Sequence, residues 1–404
     1  MARLAGRVVF VRHALPGELV RARLTEAGEG ARFWRADAVE VLRASPDRVD
    51  PPCPWSGPGR CGGCDFQHVA VPAQRSLKGV VVAEQMRRLA GLDVSVAVEP
   101  VEGDDEGLSW RTRVQYAVDD AGRAGLRVHR SHEVVAVDDC RIAHEGVRAL
   151  DVTGRRWPGW AGVEAVAPAG SGPLVVLTAP DGARRRPAVP EVPGASVAVA
   201  RKAGVDRVRG RTWVTEHVDV GGEEREFRVT GSGFWQVHPG AAPTLVSAVL
   251  SALSPGAGER VLDLYAGAGL FATALALRVG PSGSVVAVEA SARAVADARR
   301  SLHDLPQVRL QNGRVDAFLR GIEPSDGFDL VVLDPPRTGA GRRVVEQVAT
   351  LAPRAIAHVA CDPAALARDV AWFGERGYEL SSLRAFDIFP MTHHVECVAL
   401  LQPQ

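Results

Sequence analysis

The chain has 404 residues, more than one ordinary core holds, so two or three domains are expected. Basic and acidic residues balance at 48 each, which excludes a global field that would draw the chain to nucleic acid or membrane and leaves any such grip to local patches. The N-terminus has no charged and apolar leader pattern, and no run reaches the ~18 apolar residues of a membrane span, so a cytoplasmic protein with no membrane partner is expected.

Nearly all basic residues are Arg, with Lys only at 78 and 202, a bias that fits a GC-rich bacterial genome and weakens arguments from Arg counts. Six cysteines in a reducing compartment point to metal or catalytic work more than to disulfides.

In chain order, "GRVVFVRHALPGELVRARLTE" and "ARFWRADAVEVL" carry short Val-rich runs broken by Pro-Gly, so residues 1–50 read as a small β-barrel. "PDRVDPPCPWSGPGRCGGCDFQH" is too rich in Pro and Gly for a helix or strand and holds three cysteines, which suits a ligand-holding loop. Helical spacing runs from about 74 to 91 and stops at Gly91. β-type patterns occupy 108–230, and after about 232 strands and helices alternate, as in a doubly wound α/β domain. The resulting division is 1–50, 51–230 and 231–404, with the helix at 74–91 free to pack on the last.

Ligands of open α/β sheets bind beyond the carboxyl ends of the strands, so the residues there are the candidates for chemistry. "VLDLYAGAGLF" puts Tyr265, Gly267 and Gly269 in a strand-to-helix turn that a cofactor can approach closely. Glu289 ends the next strand, where a carboxylate accepts hydrogen bonds from a ribose. Asp334-Pro335-Pro336-Arg337 forms a stiff loop after "DLVVL", and Cys361 ends "AIAHVA". Glu396 opens the last strand; if that strand is antiparallel, Glu396 lies beside Cys361. Each residue also has an ordinary reading as a turn, an exposed strand end or a packing cysteine. Cys397, on the opposite strand face, is assigned to packing.

Carbon 5 of uracil is a poor nucleophile. A thiolate that adds to carbon 6 raises electron density at carbon 5, and a base must then remove the carbon-5 proton. Cys361 and Glu396 fit those two roles.

Through "GFWQVHP", "DLYAGAG", "VVLDPPRTG", "VACDPAALARD" and "HVECVALL", the chain resembles the TrmA/RumA family of RNA uracil-C5 methyltransferases. The resemblance implies a Rossmann-like class I methyltransferase domain, S-adenosylmethionine as cofactor, cofactor contacts from Gln236, Tyr265, Glu289 and Asp334, and a weaker contact from Asn312 or Asp316. It implies Cys361 as nucleophile and Glu396 as proton acceptor. His238 and Leu270 depart from the family pattern, which usually has Asn at the first position and often at the second. Cys53, Cys61, Cys64 and Cys140 resemble the [4Fe-4S] ligands of the RumA branch, with structural zinc the alternative for four thiolates. Residues 1–50 resemble a TRAM domain that lacks its first strand, so a longer natural chain is expected. RNA-contact candidates are Arg111, Arg113, Arg123, Arg127, His129 and Arg130. The implied substrate is 23S ribosomal RNA, with transfer RNA as the alternative, and the chain is expected to act as a monomer. A reading of another class is a non-catalytic RNA-binding or ribosome-assembly protein.

Overall fold

The computed structural model describes residues 1–404 apart from 29, 105, 184 and 203. Strands Ala2–Leu4, Arg7–Arg12, Phe33–Arg43 and Leu19–Glu26 form a four-stranded sheet in that spatial order. Arg7–Arg12 and Phe33–Arg43 run parallel, and the other neighbours antiparallel. Its buried apolar face is small, with Val9, Ala36 and Ala38.

Residues 44–70 form turns and isolated bridges, as the density of Pro and Gly requires. Helix Val71–Gln85 follows, with Pro72 in its first turn, where no amide donor is needed. It passes into a single π turn, Met86–Ala90, which Gly91 ends in the left-handed conformation at φ 70°. The alternating segment that follows makes a seven-stranded sheet from Arg113–Val118 to Gly204–Arg209, with the hairpin Trp213–Asp219/Glu224–Thr230 set apart from it.

The last sheet has eight strands, seven of them from the C-terminal part of the chain. These are β1 (Arg260–Leu264), β2 (Ser284–Glu289), β3 (Val308–Asn312), β4 (Leu330–Leu333), β5 (Ala355–Ala360), β6 (Tyr378–Phe386) and β7 (Glu396–Pro403). The longer helices are α1 (Ala241–Leu253), α2 (Leu270–Val279), α3 (Ala292–Ser301), α4 (Arg342–Thr350) and α5 (Pro363–Gly374). The strand order is β3-β2-β1-β4-β5-β7-β6, with β7 antiparallel to both neighbours. β4 and β5 are buried along their whole length, because helices cover both faces of the parallel part.

Two segments from earlier in the chain complete this domain. Val98–Glu99 pairs in parallel with the end of β6, and Val82 and Met86 pack with Leu366, Val370 and Phe373 of α5. The hairpin is pinned on the other side: Thr230 donates its amide and hydroxyl to the Asp297 carboxylate at 2.8 and 2.7 Å. Among the described residues no helix is long and apolar enough to cross a membrane.

Candidate active site

The four strand ends open on one cavity of about 790 Å³, within the range of small-molecule sites. It gathers Gln236, Tyr265, Glu289, Asp334, Cys361 and Glu396. Asn312 and Asp316 are engaged elsewhere. The Asn312 amide donates to the carbonyls of Glu289 and Ala290, and Asp316 pairs with Arg314 at 2.9 Å.

The turn after β1 is shaped for close approach. Tyr265 is held at φ 68° by amide bonds from Tyr265 and Ala266 to the Val288 carbonyl, a conformation that costs a non-glycine residue about 1 kcal/mol or more. Gly269 begins α2 at φ 92°, and a side chain there would meet Leu302 at 2.9 Å. The Gly267 amide donates to Glu289 at 3.0 Å and the Ser291 amide to the other carboxylate oxygen at 2.6 Å, which fixes Glu289 at the mouth of the turn.

Asp334 leaves β4 with its amide on the Leu264 carbonyl at 3.2 Å, and burial pushes its carboxyl up to about 7. The Pro-Pro-Arg loop is anchored from behind by Asp369 of α5, which accepts the amides of Ala340 and Gly341 at 2.7 and 3.1 Å and contacts His358 of β5 at 2.9 Å.

β7 runs antiparallel to β5 with Ala360 facing Cys397, so Cys361 and Glu396 come next in register at the ends of the two strands. Glu396 is 4% exposed. Burial, then the charge of Asp334, holds its carboxyl well above the ordinary range, while Arg337 acts in the opposite sense. Burial, then the charges of Glu396 and Asp334, pushes the Cys361 thiol up to about 11 against the pull of Arg337. Burial thus drives both members of the pair towards their neutral forms. Cys397 is fully buried in the core on that side of the sheet.

Several cavity residues were not singled out in the sequence. Phe234 lies two residues before Gln236 and is 74% exposed, an unusual cost for a phenyl ring. Phe389 and His394 reach the cavity from the β6–β7 loop, with His394 Nε2 3.5 Å from Arg337. The signal for His394 was its place two residues before Glu396; Phe389 had none. The two departures from the family pattern lie off the cavity or at its floor. His238 is buried against Trp110, accepts the Gly240 amide at 3.1 Å and is kept neutral by burial, at about 4. Leu270 fills the core under the glycine turn.

A second cavity of about 250 Å³ is lined by Cys53, Cys61, Cys64 and Cys140 together with Arg111, which also lines the first cavity. Burial raises the thiols of Cys61, Cys64 and Cys140, neighbouring cysteines push each further the same way, and Arg111 opposes this at Cys140. Amide groups of Gly63 and Gln67 donate to the sulfurs of Cys61 and Cys64, each at 3.4 Å. Among the described residues no three His, Cys, Asp or Glu side chains are grouped to hold a single metal ion. Of the Arg residues expected to meet RNA, Arg113 instead points inward: it is buried 3.6 Å from Glu216 and donates to the Gly233 carbonyl at 3.0 Å.

A sheet in this order, with a glycine turn after β1, a carboxylate after β2 and an Asp-Pro-Pro loop after β4, is that of a Rossmann-like methyltransferase. Residues 196–404 match the family described as tRNA (Uracil-5-)-methyltransferase. The chain is 54% identical to an RNA methyltransferase of Streptomyces coelicolor, covering 98% of this chain and 88% of that one. It is 32% identical to the 23S rRNA (uracil(1939)-C(5))-methyltransferase RlmD of Pseudomonas putida, covering 100% and 90%. In fold it is similar to the Pyrococcus abyssi tRNA (uracil-54, C5)-methyltransferase solved with S-adenosyl-L-homocysteine, with a TM-score of 0.71 at 23% identity over 97% of this chain and 95% of that one. The chain belongs to the tRNA (uracil-5-)-methyltransferase family, the S-adenosylmethionine-dependent enzymes that methylate carbon 5 of uracil in RNA.

Proposed function

We propose that the chain methylates carbon 5 of a uridine in 23S ribosomal RNA, with Cys361 as covalent nucleophile and Glu396 as the base that ends the reaction. The observation that carries this reading is the meeting of Cys361 and Glu396 at the ends of β5 and β7, in the cavity that also holds Gln236, Tyr265, Glu289 and Asp334. Those four residues are assigned to S-adenosylmethionine, which would supply an electrophilic methyl group.

Cys361 gives its proton to solvent, its sulfur bonds to carbon 6, and the 5,6 π pair this displaces makes carbon 5 nucleophilic. Carbon 5 then takes the methyl group as its bond to the sulfonium breaks. Glu396 accepts the carbon-5 proton, the 5,6 double bond reforms, and the thiolate of Cys361 leaves. The charges of the pair suit this order. Because an anionic Glu396 opposes ionisation of Cys361, the thiolate forms most readily beside a protonated Glu396. Once the sulfur is a neutral thioether that opposition is gone, and Glu396 ionises more easily when a base is required.

A groove of about 630 Å³ lined by Arg127, His129 and Arg130 shares Ser232 with the cavity and is assigned to the RNA strand beside the target. The uridine must leave its stack to enter the cavity, and such contacts offset the few kcal/mol this costs. Residues 1–50 are read as a TRAM-like RNA-binding barrel, 51–230 as the central domain and 231–404 as the catalytic domain. The four cysteines of the second cavity would hold a [4Fe-4S] cluster. The four line one cavity, and four thiolates are the ligand set of such a cluster, with structural zinc the alternative.

The ribosomal substrate is favoured by similarity to RlmD along the whole chain. Mapping 5-methyluridine in 23S and transfer RNA, with and without the gene, tests it. A modification lost from 23S RNA is expected; loss from transfer RNA alone would move the assignment to that substrate, and no change in either would favour a non-catalytic role.

A further inference from the structure

The segment between β6 and β7 delivers both His394 and Glu396 to the cavity, yet most of its hydrogen bonds go to residues more than 300 positions earlier. Met391 is its anchor. It is buried at φ 63°, with its side chain against Gly107. Its carbonyl accepts the amides of Asp65 and Phe66, each at 2.9 Å, from the end of the cysteine loop. Its own amide donates to Gln74 Oε1 at 2.9 Å. The other end of the Gln74 amide donates to the Phe66 and Val69 carbonyls at 3.2 and 2.9 Å.

Two further ties flank this anchor. Lys78, one helical turn beyond Gln74, donates to the Phe389 carbonyl at 3.0 Å and pairs with Asp387 at 2.5 Å. The Asp65 carboxylate meets His393 Nδ1 at 2.6 Å and Arg12 of the N-terminal sheet at 3.0 Å. Gln74 is 0% exposed and outside the cavity, so it meets neither substrate nor cofactor.

We propose that Gln74 is a positioning residue for proton removal by Glu396, acting through Met391 to hold the β6–β7 segment against the cysteine loop. This rests on the covalent reading above. Cys361 follows β5, whose ladder bonds run to β4 and β7 and not to Met391 or Gln74. Proton transfer is sensitive to displacements of about an ångström, so the step assigned to Glu396 is the one that loosening the segment would slow.

Single-turnover reactions of the full chain with labelled RNA and S-adenosylmethionine test this, reading adduct formation and adduct release separately on denaturing gels. Gln74→Leu removes both amide partnerships. Asp65→Ala loosens the same segment from a partly exposed position and guards against a folding failure in the first variant. Both are expected to form the adduct within about twofold of the unaltered chain and to release it about ten- to a hundredfold more slowly, with RNA affinity and iron content unchanged. Gln74→Glu, which keeps the acceptor for the Met391 amide, is expected to recover part of the release rate. Release at the normal rate in a folded Gln74→Leu chain, or equal slowing of formation and release, would overturn the inference. If Glu396→Gln itself traps no adduct, the covalent reading fails, and this inference with it; trapping by Glu396→Gln but not by the Gln74 and Asp65 variants would overturn this inference alone.

Discussion

At the scale of single residues, the site is a problem of placing one negative charge among groups that resist it. Asp334, Cys361 and Glu396 are all driven towards their neutral forms by burial, and Arg337 is the cation that opposes this for both Cys361 and Glu396. Removing that charge must raise the thiol further. The rate of adduct formation follows the thiolate fraction, so below the thiol pKa of about 11 it rises with pH. Arg337→Ala is therefore expected to form the adduct about tenfold more slowly near pH 8 and to recover as pH rises. Arg337→Lys should lie closer to the unaltered chain. Rates at saturating RNA across pH 7–10 check this, and an unchanged profile for Arg337→Ala would remove Arg337 from the ionisation of Cys361. The identities of these residues were legible in the sequence because each sits at a strand end within a short motif. The inward turn of Arg113 was not, since it depends on Glu216 and on a carbonyl 120 positions later.

At the scale of elements, short-range signals translated well and tertiary ones only in part: the antiparallel last strand and the helix packed on α5 were expected, other contacts were not. Gly91 closes its helical segment through a left-handed residue, a property local to the chain. The two-residue strand Val98–Glu99 at the edge of the catalytic sheet carries no pattern of its own and exists only because β6 offers it an edge. The docking of the β6–β7 segment on the cysteine loop is invisible for the same reason. Asp369 shows how an element supports a site it does not enter. Its carboxylate ties α5 to His358 of β5 and to the loop that carries Asp334 and Arg337, with Gly339 packed so closely that a side chain there would meet the carboxylate at 2.8 Å. Asp369→Ala leaves Nε2 of the buried His358 and the amides of Ala340 and Gly341 without this partner and is expected to cost about 3 kcal/mol, with weaker cofactor binding. Denaturant unfolding beside calorimetric titration of S-adenosylmethionine measures both, and a loss below about 0.5 kcal/mol, as for an ordinary surface change, would show that the tie is dispensable.

At the scale of the whole molecule, the cavity at the strand ends and the cysteine cavity are neighbours, and Arg111 lines both. If the cysteine cavity holds a [4Fe-4S] cluster, anaerobically purified protein should be brown and carry about four iron per chain. Serine at Cys53, Cys61, Cys64 or Cys140 should remove that colour; stoichiometric zinc without visible absorption would replace the cluster by a structural ion. The central claim is the covalent route through Cys361, and the most direct measurement is a denaturing gel of labelled RNA incubated with S-adenosylmethionine and each of two variants. Glu396→Gln is predicted to give a shifted band, a methylated RNA joined to the chain through Cys361, because the step that frees the thiolate is lost. Cys361→Ala is predicted to give no shifted band and no 5-methyluridine, while RNA and cofactor still bind. Full methylation by Cys361→Ala would contradict the account.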